Sequence, residues 1–173
     1  NNDFSAASDC YRKAFDILND PASEKSLWYL SPGATPKSTR LNNLRITHQF
    51  YGLLMGGFNS PEEQKMHFRK ALDLAREINN KTGIASSYRM LGEIYLANNA
   101  YNIDSALYYL SVADAVFDSI AVSNLIVSYE LLHIYTRKEN LPLAQKHLGK
   151  TIRAMTDDAT LLDKSRACRY ISG

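Results

Sequence analysis

The chain has few residues that could cross-link it: two cysteines in 173 residues, Cys10 and Cys168. They stand near opposite ends of the sequence with no second thiol beside either, which excludes a CxxC redox pair and a cysteine-based zinc site. A domain of this length buries roughly 70% of the surface of its unfolded chain, so it needs neither disulfides nor a structural metal. We therefore expect one ordinary soluble domain.

The chain also has little surplus charge and no long apolar run. Its 20 Lys and Arg oppose 18 Asp and Glu, for a formal charge of +2. This balance argues against a nucleic-acid or anionic-membrane surface, which would show a basic excess. No apolar run approaches the roughly 20 residues that span a bilayer. We expect no nucleic-acid partner and no membrane insertion by these residues.

Motifs of catalysis, phosphate binding and metal binding are missing from the sequence. The four histidines form no HExxH pattern, and His48 falls on a large core position, so we expect it to be a packed side chain. Residues 52–57 read Gly-Leu-Leu-Met-Gly-Gly and lack the Lys-Ser/Thr of a phosphate-binding loop; Gly56-Gly57 is instead expected to end a helix. No GxSxG or GxGxxG occurs. We expect no enzyme activity, no metal and no cofactor.

Apolar residues at helical spacing, in contrast, run through nearly the whole chain. Ile84, Tyr88, Leu91 and Tyr95 form one such stretch, and no strand-like alternation competes with it. The sequence therefore predicts an all-α fold.

Helix-capping and helix-breaking residues separate the predicted helices. Ser60-Pro61-Glu62-Glu63 has the capping-box pattern, with an N-cap Ser, a first-turn Pro and a Glu three residues on, and predicts a helix beginning at Pro61. Further breaks fall at residues 79–83, 98–104, 118–119 and 140–142. Helices joined by such short turns are expected to pack as antiparallel hairpins.

These hairpins repeat along the chain. Gly52 and Gly92 are 40 residues apart, and so are Tyr95 and Tyr135. A period of this length indicates one helix pair per repeat. The packing reason is that Gly92 allows the paired helix to approach closely.

The second copy carries the most complete motif. It reads Tyr88-x-x-Leu91-Gly92-x-x-Tyr95, followed by Ala106-x-x-x-Leu110-x-x-Ala113. This resembles the tetratricopeptide repeat (TPR) pattern, with Tyr in place of its usual Trp and Leu in place of its Phe. The third copy keeps Leu131 and Tyr135, and in the first copy Phe68 replaces a small residue. The resemblance implies an α-solenoid of antiparallel helix hairpins, wound as a right-handed superhelix.

The predicted organisation is a single TPR-like domain fragment. Residues 11–16 match residues 68–73, which marks residues 4–18 as the second helix of an earlier repeat, so we expect the chain to be a piece of a longer array. The segments are 1–39, the helix of a preceding repeat plus an irregular insertion; 40–79, repeat 1; 80–118, repeat 2; 119–156, repeat 3; and 157–173, a partial or capping helix.

The insertion at residues 19–39 interrupts the repeat pattern and contains Trp28, the only tryptophan. We expect a short helix at about residues 22–31. Trp28 could pack on the flank of the first hairpin, or it could serve as a lid or docking aromatic, since long irregular connections are often functional.

The resemblance to TPR proteins implies that first helices line a concave surface that holds a peptide or partner helix. Aligning the copies gives rows of inward-facing residues, which we call the inner row. These candidate peptide-binding residues are Gln49, Leu53, Arg89, Glu93, Tyr129, His133 and Arg137. Glu93 and His133 stand where carboxylate-clamp members of the family carry Asn, so a chaperone C-terminal tail is not the expected ligand.

The expected function is that of a protein- or peptide-binding scaffold. The repeat resembles TPR regions of bacterial signalling regulators, which implies the sensor or interaction part of a membrane-anchored protein and a periplasmic rather than cytoplasmic location. Two alternatives stay open. Leu161, Leu162 and Ile171 could meet a second copy and form a homo-oligomer, or the groove could hold a small molecule or catalytic site.

Overall fold

The computed structural model describes residues 2–27, 30, 32–97 and 102–156. Within these ranges the chain is all-α and has no strand, which confirms the predicted class. The elements are α1 (Asn2–Asn19), a 3₁₀ helix (Pro21–Ser26), α2 (Pro36–Gly57), α3 (Pro61–Glu77), α4 (Lys81–Ile94), α5 (Ile103–Ser119), α6 (Leu125–Arg137) and α7 (Leu141–Thr156). The predictions for Trp28, for Cys168 and for a helix in 157–173 lie outside the described residues.

The chain divides into two compact units, Asn1–Ser87 and Tyr88–Gly173. In the first unit α2 packs against α1, the 3₁₀ helix and, most extensively, α3. In the second unit α6 packs against α5 and, most extensively, α7. Residues 81–87 of α4 belong to the first unit and residues 88–94 to the second. Helices thus pack with neighbours in sequence order, and among the described residues each is too short or too polar to cross a bilayer.

The starts of the helices agree with the predicted breaks, but one cap differs. The helix predicted at Pro61 begins there, yet the Ser60 side chain makes no capping hydrogen bond, because the backbone of Ser60 (φ −106°, ψ 71°) departs from the extended form of an N-cap. The predicted capping box at this helix is therefore wrong. The helical part of the insertion is a 3₁₀ helix ending at Ser26, shorter than the expected helix.

A complete capping box stands instead before α2. Ser38 N donates to Thr35 Oγ1 at 3.0 Å, and Thr35 N donates to Ser38 Oγ at 2.9 Å. Pro36 fills the first helical position, where its missing N–H is not needed. Helix α2 consequently begins at Pro36.

Four helices end on a left-handed residue that is not glycine. The helices α2, α3, α5 and α6 are followed by Asn59 (φ 57°), Asn79 (φ 52°), Ala121 (φ 54°) and Glu139 (φ 55°). After each, the next N–H returns to a carbonyl in the last turn of the helix, as in Val122 N to Phe117 O at 3.1 Å. This is the Schellman arrangement, which usually employs glycine because a Cβ is strained there.

Glycine does serve where two helices approach. A Cβ on Gly52 would lie 2.6 Å from Phe68 Cε1, and a Cβ on Gly92 would lie 2.7 Å from Leu110 Cγ. Phe68 and Leu110 are almost fully buried. The close approach predicted at Gly92 is confirmed, and the first unit uses Gly52 in the same way.

We expect Gly92→Ala to lower the free energy of unfolding by about 1–2 kcal/mol, because overpacking against Leu110 outweighs the better helix propensity of Ala. Gly149→Ala in α7 is the matched control. Its nearest heavy-atom neighbour would be 3.9 Å away, so it should stabilise the protein by about 0.5–1 kcal/mol. Urea titrations of both variants measure the difference, and equal effects of the two would contradict this packing.

Ala121→Gly should raise the free energy of unfolding by about 0.5–1 kcal/mol, because glycine adopts a positive φ without strain. Ala115→Gly, at an exposed position within α5, should lower it by about 1 kcal/mol instead. Thermal and urea unfolding of the pair would show opposite signs. A loss of stability in both variants would mean that residue 121 is not left-handed in solution.

Candidate functional site

The seven candidate residues of the inner row are divided between the two units. Gln49 and Leu53 lie on α2 in the first unit. The others lie on α4 and α6 in the second unit: Arg89, Glu93, Tyr129, His133 and Arg137.

Gln49 lies inside the first unit, with its side-chain amide engaged there. Its Oε1 accepts a hydrogen bond from Arg45 Nη1 at 2.7 Å, and its Nε2 donates to Ser87 Oγ at 3.4 Å. Ser87 in turn donates to Gly83 O at 2.9 Å. This amide therefore joins α2 to α4 and leaves little of its own surface for a ligand.

Arg45, the partner of Gln49, was not anticipated by the sequence reasoning. It is buried, and its Nε donates to Asn42 Oδ1 at 3.0 Å. Asn80 Nδ2 donates to the same oxygen at 3.1 Å. These partners are neutral, and burial lowers the pKa of the Arg45 guanidinium. No pattern in the sequence around Arg45 indicated its burial.

Leu53 is an accessible member of the inner row in the first unit. It is 45% exposed, and Phe50, three residues earlier on the same face of α2, is exposed as well. The accessible part of α2 at this point is therefore apolar.

In the second unit the structure joins two of the predicted residues directly. Arg89 Nη1 forms an ion pair with Glu93 Oε1, one turn further along α4. Both side chains are partly buried. The Glu93 carboxylate also affects the pKa of a residue on α6.

That residue is Glu130, which the sequence reasoning missed. Burial raises the pKa of its carboxyl group and the nearby Glu93 carboxylate raises it as well, which together bring the pKa to about 7. No hydrogen bond or ion pair joins Glu130 to another described side chain. Its sequence neighbours Tyr129 and Leu131 gave no sign of this environment, because the pKa shift comes from burial in the fold and from a carboxylate on another helix.

The remaining candidates lie on α6. His133 and Arg137 are exposed and one turn apart, while Tyr129 is half-buried. Together with Glu130, the candidate residues of α4 and α6 thus include two acids and three bases, with one ion pair between Arg89 and Glu93. They can offer hydrogen bonds and charges to a ligand. Across the described ranges, no group of three or more His, Cys, Asp or Glu side chains is placed to hold a metal ion.

Two histidines meet elsewhere in the first unit. His48 Nδ1 and His67 Nδ1 are 2.8 Å apart, and the Phe15 ring lies 4.6 Å from that of His48. Burial, first, and the neighbouring His67 and Lys70 together lower the pKa of His48 to about 4. These contacts confirm His48 as a packed side chain.

A cavity of about 260 Å³ opens in the second unit, away from the predicted residues. Lys150 lies at its wall and donates to Asp114 and to Asp118 at 2.7 Å each. Burial lowers the pKa of Lys150, but the hydrogen bonds to the two carboxylates outweigh it, so the pKa rises overall. With Arg153 the lining holds two acids and two bases, and their charges balance.

Comparison with protein-family models gave no match, and comparison with curated protein sequences gave none either. The likeness to TPR proteins therefore stays a prediction from the residues quoted above.

The raised pKa of Glu130 predicts that the stability of the protein depends on pH. Its folded-state value of about 7 lies above the ordinary 4.5, so the folded protein keeps a proton that the unfolded chain releases. The contribution of the protonated carboxyl group to the free energy of unfolding is fully present below pH 4.5 and is lost as the pH rises through about 7. The free energy of unfolding of Glu130→Gln, measured relative to that of wild type, should therefore increase by about 3 kcal/mol across this pH window.

Urea unfolding of both proteins from acidic to alkaline pH measures this growth. Glu93→Gln provides the comparison, because it removes only the smaller cause and should give a smaller change with pH. A difference between Glu130→Gln and wild type that stays constant over the window would show that Glu130 titrates normally.

Proposed function

We propose that the chain is a TPR-like α-solenoid module that binds a peptide or a segment of a partner protein. In this proposal the ligand contacts residues of the first helices of the three hairpins, α2, α4 and α6. Support comes from the order of the hairpins and from the equivalent use of Gly52 and Gly92 against the following helix.

The observation that carries this proposal is the matched use of glycine in α2 and α4. A Cβ on Gly52 would lie 2.6 Å from Phe68 Cε1, and a Cβ on Gly92 would lie 2.7 Å from Leu110 Cγ, so each of these helices closely approaches the helix that follows it. The recurrence of one packing contact in successive helix hairpins is what a repeat array predicts.

The exposed candidate residues suit a peptide segment that has both apolar and polar side chains. Leu53 in the first unit offers an accessible apolar contact, and His133 and Arg137 in the second unit offer polar ones. Peptide recognition commonly combines an apolar anchor with surrounding polar contacts. By analogy with bacterial signalling regulators, we propose that the module is the sensor or interaction part of a larger regulatory protein.

The test uses peptides selected from a displayed random library against the full chain, then synthesised for titration. Leu53→Glu and His133→Glu should each weaken peptide binding by roughly tenfold or more, because they place a new carboxylate in the inner row. Both original side chains are exposed, so neither change disturbs the core.

Matched controls lie on second helices. Leu148, on α7, is 45% exposed, as is Leu53, and Met66 on α3 is similarly exposed. Leu148→Glu and Met66→Glu should leave peptide affinity within about twofold of wild type. A library that yields no binder, or an equal loss in variants of first and second helices, would overturn the proposal.

The alternative of self-association rests on Leu161, Leu162 and Ile171, which lie outside the described residues. It stays a prediction, as does the absence of enzyme activity.

A further inference from the structure

The cavity of the second unit lies among three helices. Its lining comes from α5, α6, α7 and the connection between α5 and α6 at residues 121–124. Its volume is about 260 Å³. Sites for drug-sized ligands measure roughly 300–1,000 Å³, so this cavity suits a smaller molecule.

One hydroxyl group of this lining has no protein partner. Among the described residues, three side chains with a hydroxyl group are buried: Ser87, Ser128 and Thr151. Ser87 and Thr151 each donate to the carbonyl four residues earlier, at 2.9 and 2.8 Å. Ser128 is 3% exposed, yet its hydroxyl makes no hydrogen bond to any described residue. Because Ser128 lines the cavity, this hydroxyl is left for a group bound there.

The two carboxylates of the lining can accept further hydrogen bonds. Lys150 Nζ donates to Asp114 Oδ2 at 2.7 Å, and to Asp118 Oδ1 and Oδ2 at 2.8 and 2.7 Å. These bonds use the three N–H groups of the lysine ammonium. Asp114 Oδ1 accepts no hydrogen bond from the described residues. A carboxylate has about four lone-pair sites, so both acids keep accepting capacity after Lys150 is satisfied.

The charges next to this spare capacity are mainly negative. Lys150 brings one positive charge against the two negative charges of Asp114 and Asp118. Arg153, the second base of the lining, is exposed and has an interaction of its own, and solvent screens an exposed charge. Helix α5 ends at Ser119, and the C-terminus of a helix adds a partial negative charge. The cavity therefore favours a group that is positively charged and donates hydrogen bonds.

We propose that this cavity binds a small molecule that carries a primary ammonium group. The three N–H groups of such an ammonium match three acceptors of the lining, which are Asp114, Asp118 and the Ser128 hydroxyl. Hydrogen bonds from an ammonium to a carboxylate are roughly twice as strong as neutral ones. No residue of the inner row lines the cavity, so the site does not depend on the proposed function.

The first experiment titrates the full chain with n-butylamine hydrochloride at pH 7 and follows its amide chemical shifts by NMR. An alkyl ammonium has a pKa of about 10.4, so the probe is charged. The shifts of Ser128 and of residues 121–124 should change and saturate. Butan-1-ol has no charge, tetramethylammonium has no N–H group, and neither should saturate. Equal responses to the three probes, or to butylamine and sodium chloride at equal ionic strength, would overturn the site.

Ser128→Ala should weaken butylamine affinity by about tenfold, because it removes a hydrogen bond to a charged group. It should not lower the free energy of unfolding, because the hydroxyl has no protein partner to lose. Ser87→Ala is the matched control, since its hydroxyl is equally buried but bonded to Gly83 O. This control should lose stability and keep its butylamine affinity. A Ser128→Ala variant that binds butylamine as tightly as wild type would refute the proposal.

Asp114→Asn should weaken butylamine affinity by roughly tenfold or more, because the amide lacks the negative charge. Asp104→Asn is its control, because Asp104 lies on the same helix and bonds to a lysine, Lys138, but does not line the cavity. It should bind butylamine within about twofold of wild type, and amide spectra verify that both variants are folded. Equal affinities of the two variants would contradict a role for the carboxylate.

The lysine side chain of a protein partner offers the same ammonium group, and a further probe separates the two sources. Nα-acetyl-lysine methylamide carries this ammonium on a peptide backbone. It should bind no more tightly than butylamine, because the proposed ligand is held within the cavity. Tighter binding of the lysine derivative would assign the site to a protein partner and overturn the proposal of a small molecule.

Discussion

The arrangement of this chain depends on the absence of a side chain at two positions in first helices. At Gly52 and Gly92 a Cβ would overlap Phe68 and Leu110, so each glycine fixes how closely its helix meets the next. The residue after each glycine, Leu53 or Glu93, is turned about 100° away around the helix. The glycines therefore determine which side chains are left for a ligand.

Much of the fold could be predicted because helical spacing and turn residues are local properties. The helix at Pro61 and the close approach at Gly92 follow from a few neighbouring residues. The caps were harder to predict. Ser60 is followed by the expected Glu63 but has the wrong backbone for capping, whereas Thr35 caps α2 with a serine in the role usually taken by Glu or Gln. The backbone angles at an N-cap depend on the conformation of the residues that precede it, and the capping motif alone does not reveal that conformation.

The sequence predicts a row of positions for the candidate site but not the environment of each side chain. Gln49 and Leu53 are predicted one turn apart on the same face of α2, yet the Gln49 side chain is buried and bonded to Ser87 of α4 while Leu53 is open to solvent. Arg45 and Glu130 were missed because their character comes from neighbours distant in sequence. Burial lowers the pKa of the Arg45 guanidinium, and burial together with Glu93 raises the pKa of the Glu130 carboxyl group.

The contact between His48 and His67 couples the tautomers of two imidazole rings. A hydrogen bond between two Nδ1 atoms needs a proton on one and a lone pair on the other, so one neutral ring is the Nδ1–H form and its partner the Nε2–H form. Reversing the two assignments requires the shared proton to move to the other Nδ1 and a second proton to pass from one Nε2 to the other through solvent. Phe15 packs against both rings, so the tautomers of the two histidines are coupled within a contact between aromatic rings.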